Sequence, residues 1–435
     1  MMDLILRFNL LQIKRFKKDS FKKIVMKYIE IMAPVGSYES LMAAINAGAN
    51  SVYFGIDKLN MRARAANNFS IEDLRKIVSI CQENKVKTYL TLNIVMYDQD
   101  LSLMKEICDV AKEVGVSSII ATDMAVINYA NSIKLKVHIS TQANVSNIEA
   151  VKFFSKFAEV IVLARELTIE QIRDICKEVE EQDIRGPSGN LVEIEVFVHG
   201  ALCVAISGKC YMSLHTYNTS ANRGNCLQNC RRKYKVTDEE TGKELVIDNN
   251  YVMSPRDLCT IEYLEEIVKA RVKVLKIEGR GRAPEYVHTV VKNYREAIDL
   301  IKEDKYTEEK KKELLNNLKS VYNRGFWDGG YYFGKKTDSW SNSYGSQSEK
   351  VKSCIGNVEN YYDKIKVGYF NLTGNVKVGD TILIIGPTTG VVEEKVIEIK
   401  IEDKKVDSAV KGDKVTIPIS FKIRKNDQLY LYENR

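Results

Sequence analysis

From residue 28 onward, short apolar runs and amphipathic runs alternate with a regular beat. YIEIMAP ends at Pro34 and gives way to SYESLMAAINAGA, apolar at helical spacing and closed by Gly48. SVYFG precedes IEDLRKIVSICQENK, and TYLTLN precedes SLMKEICDVAKEVG. SSIIATD, KVHISTQ and EVIVLAR are each followed by another helical pattern. EIEVFVHG leads into a cysteine-rich stretch whose end, DLCTIEYLEEIVKA, reads as a helix, and VKVLKIEG precedes the long APEYVHTVVKNYREAIDLIK. Near-continuous Val, Ile and Leu in the short runs predict strands covered on both faces, and the alternation predicts a parallel sheet. Eight strand–helix units over about 270 residues fit a (β/α)₈ barrel, with a doubly wound open sheet as the alternative.

The rhythm changes after residue 335. DSWSNSYGSQSEK is rich in Ser, Asn and Gly and reads as a linker over 336–351. Beyond it, short alternating strands with turns at Gly374, Gly379, Gly386 and Gly390 predict a small all-β barrel over 352–435. The start of the chain, 1–27, is basic; its apolar stretch from Leu4 to Ile13 is broken by Arg7 and Asn9, and no small-residue cleavage site follows. Met26 stands just before the first strand, so this segment reads as an extension outside the fold rather than a secretory signal. No run of about twenty apolar residues is present, which excludes a membrane-spanning helix. Without a secretory signal the compartment is expected to be the reducing cytoplasm, where disulfides are rare.

Composition changes little. The 435 residues are 45% apolar and carry 65 basic against 58 acidic groups, a formal +7 that permits a polyanionic partner without demanding one.

The chemistry sits at the strand ends. In a (β/α)₈ barrel these ends carry the active site, and here they hold His138, Ser140, Thr141, Gln142, Asn144, Arg165, His199, Glu278 and Arg280. His138, Gln142, Asn144, His199 and Glu278 are the candidate catalytic groups, because capping alone does not require so many polar residues. Arg62, Arg64, Arg165, Arg223, Lys276, Arg280 and Arg282 would ring one mouth of the closed barrel, suited to phosphate or a small dicarboxylate. Tyr211, Tyr217 and Tyr234 are candidates for stacking on an extruded base. Over the same mouth lie Cys203, Cys210, Cys226 and Cys230, with Cys259 beyond them. Their spacing has neither the paired knuckles of a zinc ribbon nor the run of a ferredoxin, and leaves zinc and iron–sulfur both open. There is no G-x-S-x-G and no H-E-x-x-H, so a hydrolase would need an arrangement such as Cys203 with His199.

Several segments together resemble peptidase family U32, the collagenase-like proteases. They are APVGSYESLMAAINAGANSVYFG, HISTQANVSN, VLARELTIEQI, EVFVHGALCVAISGKCYMS, NRGNCLQNCRRKY, SPRDLC, LKIEGRGRAPEYV and NRGF, spread over residues 28–335. The resemblance implies a peptidase by name. Other members look like hydroxylation factors for tRNA uridine, for a ribosomal cytidine or for ubiquinone, and the length and domain plan here look most like the tRNA 5-hydroxyuridine type. Matched residue by residue, it implies a 4Fe–4S cluster on Cys203, Cys210, Cys226 and Cys259, leaving Cys230 as a spare thiol or alternative ligand. It also implies tRNA as partner and prephenate, or a similar small dianion, as hydroxyl source. Three readings follow: an iron–sulfur tRNA hydroxylation protein; a U32 peptidase; and a non-catalytic RNA-binding protein that needs a second U32 chain.

Overall fold

The computed structural model describes residues 29–64, 68–245, 251–327, 329–335, 340–343 and 345–435. The N-terminal extension expected over 1–27, and residues 336–339 of the expected linker, lie outside the described residues. Eight parallel strands close into a barrel: β1 (Glu30–Pro34), β2 (Ser51–Gly55), β3 (Lys87–Leu92), β4 (Ser118–Ala121), β5 (Val137–Ile139), β6 (Val160–Val162), β7 (Glu193–Ala201) and β8 (Val274–Ile277). Consecutive strands pair from β1 to β7, and β8 closes the ring between β7 and β1.

The helices that return the chain are α1 (Tyr38–Asn46), α2 (Asp73–Glu83), α3 (Leu101–Val114), α4 (Met124–Ser132), α5 (Ile148–Ser155), α6 (Ile169–Glu181), α7 (Leu264–Lys269) and α8 (Pro284–Lys302). Their ends follow local chemistry. Ser37 caps α1 through its side chain, Thr168 and Gln171 form a capping box on α6, and Pro284 opens α8 where a missing N–H costs nothing. Outward side chains of the strands, among them Ile31, Phe54, Leu90, Ile119 and Leu275, pack under the helices. Inward ones form a separate interior layer of Met32, Tyr53, Tyr89, Ile120, Val160 and Val274.

The expected helix over 257–270 begins differently. Asp257–Cys259 is a short strand, antiparallel to the upper end of β7, and the helix proper starts only at Leu264. The backbone of Asp257 is claimed on its other side by Gly325 and Trp327, so strand pairing outcompetes the helical pattern here.

The C-terminal domain is antiparallel and all-β. Lys350–Tyr362 pairs on one side with Val367–Leu372 and on the other with Gln428–Asn434, over a core that includes Val358, Phe370, Ile384, Val415 and Leu429. Before it, Ser341 is fully buried and its N–H donates to the Ser254 carbonyl.

This domain docks on the barrel through α1 and α8. Ala43 packs with Leu383, Ile385, Val391 and Tyr432, Asn46 Nδ2 donates to the Thr389 carbonyl at 3.0 Å, and Lys352 pairs with Glu285 at 2.7 Å. Gly390 is what lets the surfaces meet: its φ is +74°, and a Cβ there would stand 2.8 Å from the Ala43 nitrogen. Gly390→Val is therefore expected to cost about 1–3 kcal/mol by overpacking. Limited proteolysis should then cut the 340–349 connection faster than in the wild type.

Candidate functional site

A cavity of about 360 Å³ opens at the C-terminal ends of the barrel strands. Its wall carries Arg62, Arg165, Arg231, Lys276, Arg280, Arg282 and Arg324 against a single carboxylate, Glu278. Lys276, Glu278, Arg280 and Arg282 come from β8 and the loop after it, and the others reach the cavity from separate loops, which is how a closed barrel gathers distant residues.

Glu278, just past β8, is the hub. Arg62 donates to its Oε1 through Nη2 at 2.7 Å and Nε at 3.1 Å, and Tyr53 reaches its Oε2 at 3.2 Å. Burial alone would raise this carboxyl, but Arg62, with Arg165 and Arg280 behind it, outweighs burial and holds it down to about 2. Glu278 is thus a fixed negative charge, not a proton donor. Arg62 is shifted up in turn by Glu278, despite burial.

Arg280 is the most buried of the cavity arginines. It is 5% exposed, donates to Thr91 Oγ1 at 2.9 Å, and is pushed down to about 10 by burial. Gly55 makes room for it, since a Cβ at that position would stand 2.4 Å from Arg280 Nη1. Arg165 lies flat over the Phe197 ring at 3.8 Å and gives Nη1 to the Ala201 carbonyl, leaving a buried Nε without a hydrogen-bond partner. Gln142 lines the cavity from the loop after β5, with Asn93 and Ser140 bonded to its oxygen.

Other expected site residues fall elsewhere. His138 is buried directly below, inside the barrel, with Nδ1 3.5 Å from Glu195 Oε2. Asn144 ties two loops together through the carbonyls of Gln142 and Ser207 and does not face the cavity. Arg64 is exposed on its loop, its backbone N–H on the Gly224 carbonyl. Arg223 pairs with Asp100 and stacks over Tyr97, outside the cavity. Tyr234 gives its hydroxyl to the Asn229 carbonyl, whereas Tyr211 and Tyr217 are exposed.

His199, expected at the mouth, faces the helices instead. Between β7 and β8 the register slips: Phe197 pairs with Lys276 but His199 with Ile277. The extra residue, Val198, is a β-bulge that turns His199 to the outside, among Tyr286, Tyr294 and Phe326. Burial, with Arg282 nearby, lowers its imidazole to about 3, and burial lowers that of His288 to about 4. Both are therefore neutral in the fold, while the unfolded chain takes up protons below 6.5. The stability this neutrality contributes is complete above that value and is lost progressively as pH falls toward the folded values. The melting temperature should drop between about pH 7 and about pH 5, and His199→Phe should flatten that drop.

Four thiols gather above the cavity. Cys203, Cys226 and Cys230 line it, and Cys210 stands beside them. Cys230 is raised to about 11, first by burial, then by Cys203, Cys226 and Cys210, against a lowering by Arg231. Cys210 is raised by burial and feels Cys203 and Cys226. Cys259, expected as the fourth of the set, is not with them. It pairs with His199 in the strand ladder, is 3% exposed in the core under the helices, and is raised by burial to about 12. All nine cysteines are free thiols. Among the described residues no three His, Cys, Asp or Glu side chains stand in ready-made metal-binding geometry. The donor set of soft thiols on loops nonetheless suits iron–sulfur or zinc.

Tyr53 and Arg324 also line the cavity and were not expected there from the sequence, whereas Arg231 was expected at the mouth among the basic residues flanking the cysteines. Tyr53 lies at an inward position of β2, a parity readable in the sequence. Arg231 binds the carbonyls of Leu202 and Pro255 and the Ser254 hydroxyl, joining the cysteine segment to the strand that holds Asp257. Arg324 comes from the NRGF segment and pairs with Asp257 at 3.2 Å, and nothing in its local sequence places it at the barrel mouth.

Comparison with known proteins agrees with this architecture. The sequence model of "Peptidase family U32" matches residues 36–342. A Porphyromonas gingivalis protein named "Collagenase" is 52% identical over 407 residues, 93% of this chain and 98% of that one. The Bacillus subtilis "tRNA hydroxylation protein P1" is 30% identical over 375 residues, covering 84% of this chain and 85% of the relative. The Escherichia coli "23S rRNA 5-hydroxycytidine C2501 synthase" is 32% identical over 278 residues, 64% of this chain and 40% of that protein. Among the described residues no helix is long and apolar enough to cross a membrane.

Proposed function

The chain belongs to peptidase family U32, and from that premise we propose that it acts in RNA hydroxylation, on a tRNA uridine, with a small dianion such as prephenate bound in the barrel. The observation that carries this reading is the cavity wall: seven cations face one carboxylate, and none of the four histidines lines it. A serine or thiol peptidase needs a base beside its nucleophile. His199 is turned outward and His138 lies under the floor, its Nδ1 3.5 Å from Glu195 Oε2. A peptide backbone is neutral and gains little from so many cations, whereas carboxylates and phosphates match the arginine fork.

In this reading Arg165 and Arg280 hold the carboxylates of the dianion. Glu278, kept ionised by Arg62, fixes the Arg62 guanidinium, and the cavity stays positive. The thiols Cys203, Cys210, Cys226 and Cys230 are the set that would hold an iron–sulfur cluster, with zinc as the alternative; such a cluster supplies single-electron redox chemistry. Reduced thiols require a reducing compartment, consistent with a cytoplasmic location.

The name carried by the 52% identical relative favours a second reading, peptide hydrolysis. Protein prepared without air separates the two. The proposal expects a brown protein containing iron and sulfide that leaves collagen peptides intact. A colourless protein with stoichiometric zinc would overturn the cluster, and peptide cleavage that survives iron removal would overturn the function.

A further inference from the structure

Six of the seven cations on the cavity wall are arginines; the seventh, Lys276, is different in kind. An arginine guanidinium keeps its proton and its nitrogens are poor nucleophiles, whereas a lysine amine that loses a proton attacks carbonyl carbon. Lys276 is the third residue of β8, 4% exposed, with its side chain reaching the cavity from below. Its Nζ stands 4.7 Å from the Tyr53 ring centroid and 5.4 Å from that of Phe197, so aromatic walls withdraw it from water.

Beneath it lies a proton acceptor. Nζ donates to Glu195 Oε1 at 2.7 Å, and Glu195 Oε2 faces His138 Nδ1 at 3.5 Å. Glu195 is fully buried and His138 is 2% exposed. Barrel interiors of this fold are ordinarily filled by branched aliphatic side chains. Burying ions there costs desolvation that apolar residues of the same size would avoid. A lysine, a carboxylate and an imidazole in line under a cavity are therefore a chemical device rather than packing.

We propose that Lys276 forms a Schiff base with a 2-oxo acid held in the cavity. The carboxylate of such a ligand goes to the arginines, Arg165 with its unpartnered Nε among them, and its keto carbon to Nζ. The ammonium proton passes to Glu195, with His138 behind it to share the charge. The free amine adds to the keto carbon, and a proton moves from nitrogen to the carbinolamine oxygen. That oxygen then leaves as water, carrying one hydrogen from nitrogen and the one held on Glu195. The product is a protonated imine, so a positive charge faces the Glu195 carboxylate at the start and again at the end, and no net proton is released. This inference rests on the anion-binding part of the proposed function and is independent of the RNA part.

The test uses the full-length protein with pyruvate or 2-oxoglutarate as probe and sodium cyanoborohydride as trap, followed by peptide mass spectrometry. One reduced adduct at Lys276, near stoichiometric and suppressed by excess succinate, is the expected result. Lys276→Arg should lose it while retaining the ion pair with Glu195, and the succinate competition on wild-type protein stands even if that variant folds poorly. Absence of an adduct at Lys276, or labelling no greater there than on surface lysines, overturns the imine. Calorimetry without reductant separates the two ideas: probe binding without an adduct overturns the imine alone, and no binding overturns the anion site as well.

Discussion

Cys230→Ser is expected to strip the protein of iron, and Cys259→Ser to leave its iron content unchanged. The contrast follows from where the two side chains lie. Cys230 lines the cavity and is raised in part by Cys203, Cys226 and Cys210, a sign that the four would repel one another as thiolates without a metal. Cys259 sits under the helices beside His199, where burial, with no other cysteine contributing, pushes it up to about 12. A cation at the four-thiol set removes the mutual repulsion and draws all four toward the thiolate. Removing one ligand of a closed site is expected to cost most of the affinity, so loss of iron and of visible absorbance should be near complete for Cys230→Ser. Cys259→Ser replaces a buried thiol beside the Tyr294 hydroxyl and should register instead as a lowered melting temperature. Iron analysis and thermal melting on both variants, prepared without air, check the pair; retained iron in the Cys230 variant would return the fourth ligand to Cys259.

Arg280→Met is expected to weaken dianion binding by at least about thirtyfold, the equivalent of about 2 kcal/mol for truncating a buried, hydrogen-bonded charge. Arg280 is the most buried of the cavity guanidiniums, anchored on Thr91 and admitted by Gly55. Its loss removes a cation from a place where solvent cannot compensate. Arg64→Met and Arg223→Met supply the contrast. Both were expected at the mouth from sequence, but Arg64 is exposed on its loop and Arg223 is engaged with Asp100. Titration of prephenate by calorimetry should find these two close to wild type. Equal losses in all three variants would mean that general positive charge, not the cavity, holds the ligand.

The barrel was legible because its signal is periodic. Eight apolar runs of strand length, each with a helical pattern after it, leave few topologies open, and the segment ends point to one face of the molecule. The cavity residues Arg62, Gln142, Arg165, Lys276, Glu278, Arg280 and Arg282 were readable for that reason. His199 was not. Strict alternation from Glu195 through Phe197 puts His199 inside, and only the slip at Val198 sends it outward. A bulge is a choice between two pairings of nearly equal local cost, and no residue in EVFVHG announces it. The place of Cys259 in the fold has the same root, since it pairs with His199 and takes that residue's side of the sheet. Arg324 illustrates a third limit. It arrives at the mouth from a segment beyond the last barrel helix, held by Asp257, a contact between residues 67 positions apart that no local pattern encodes.

The cavity is proposed to serve RNA hydroxylation. Mass spectrometry of tRNA nucleosides from a strain lacking the gene tests it most directly, with the wild-type chain and the Arg280→Met variant returned in parallel. The expected result is loss of the 5-hydroxyuridine family of nucleosides, restored by the wild-type chain and not by the variant. Unchanged tRNA nucleosides in the deletion strain would contradict it.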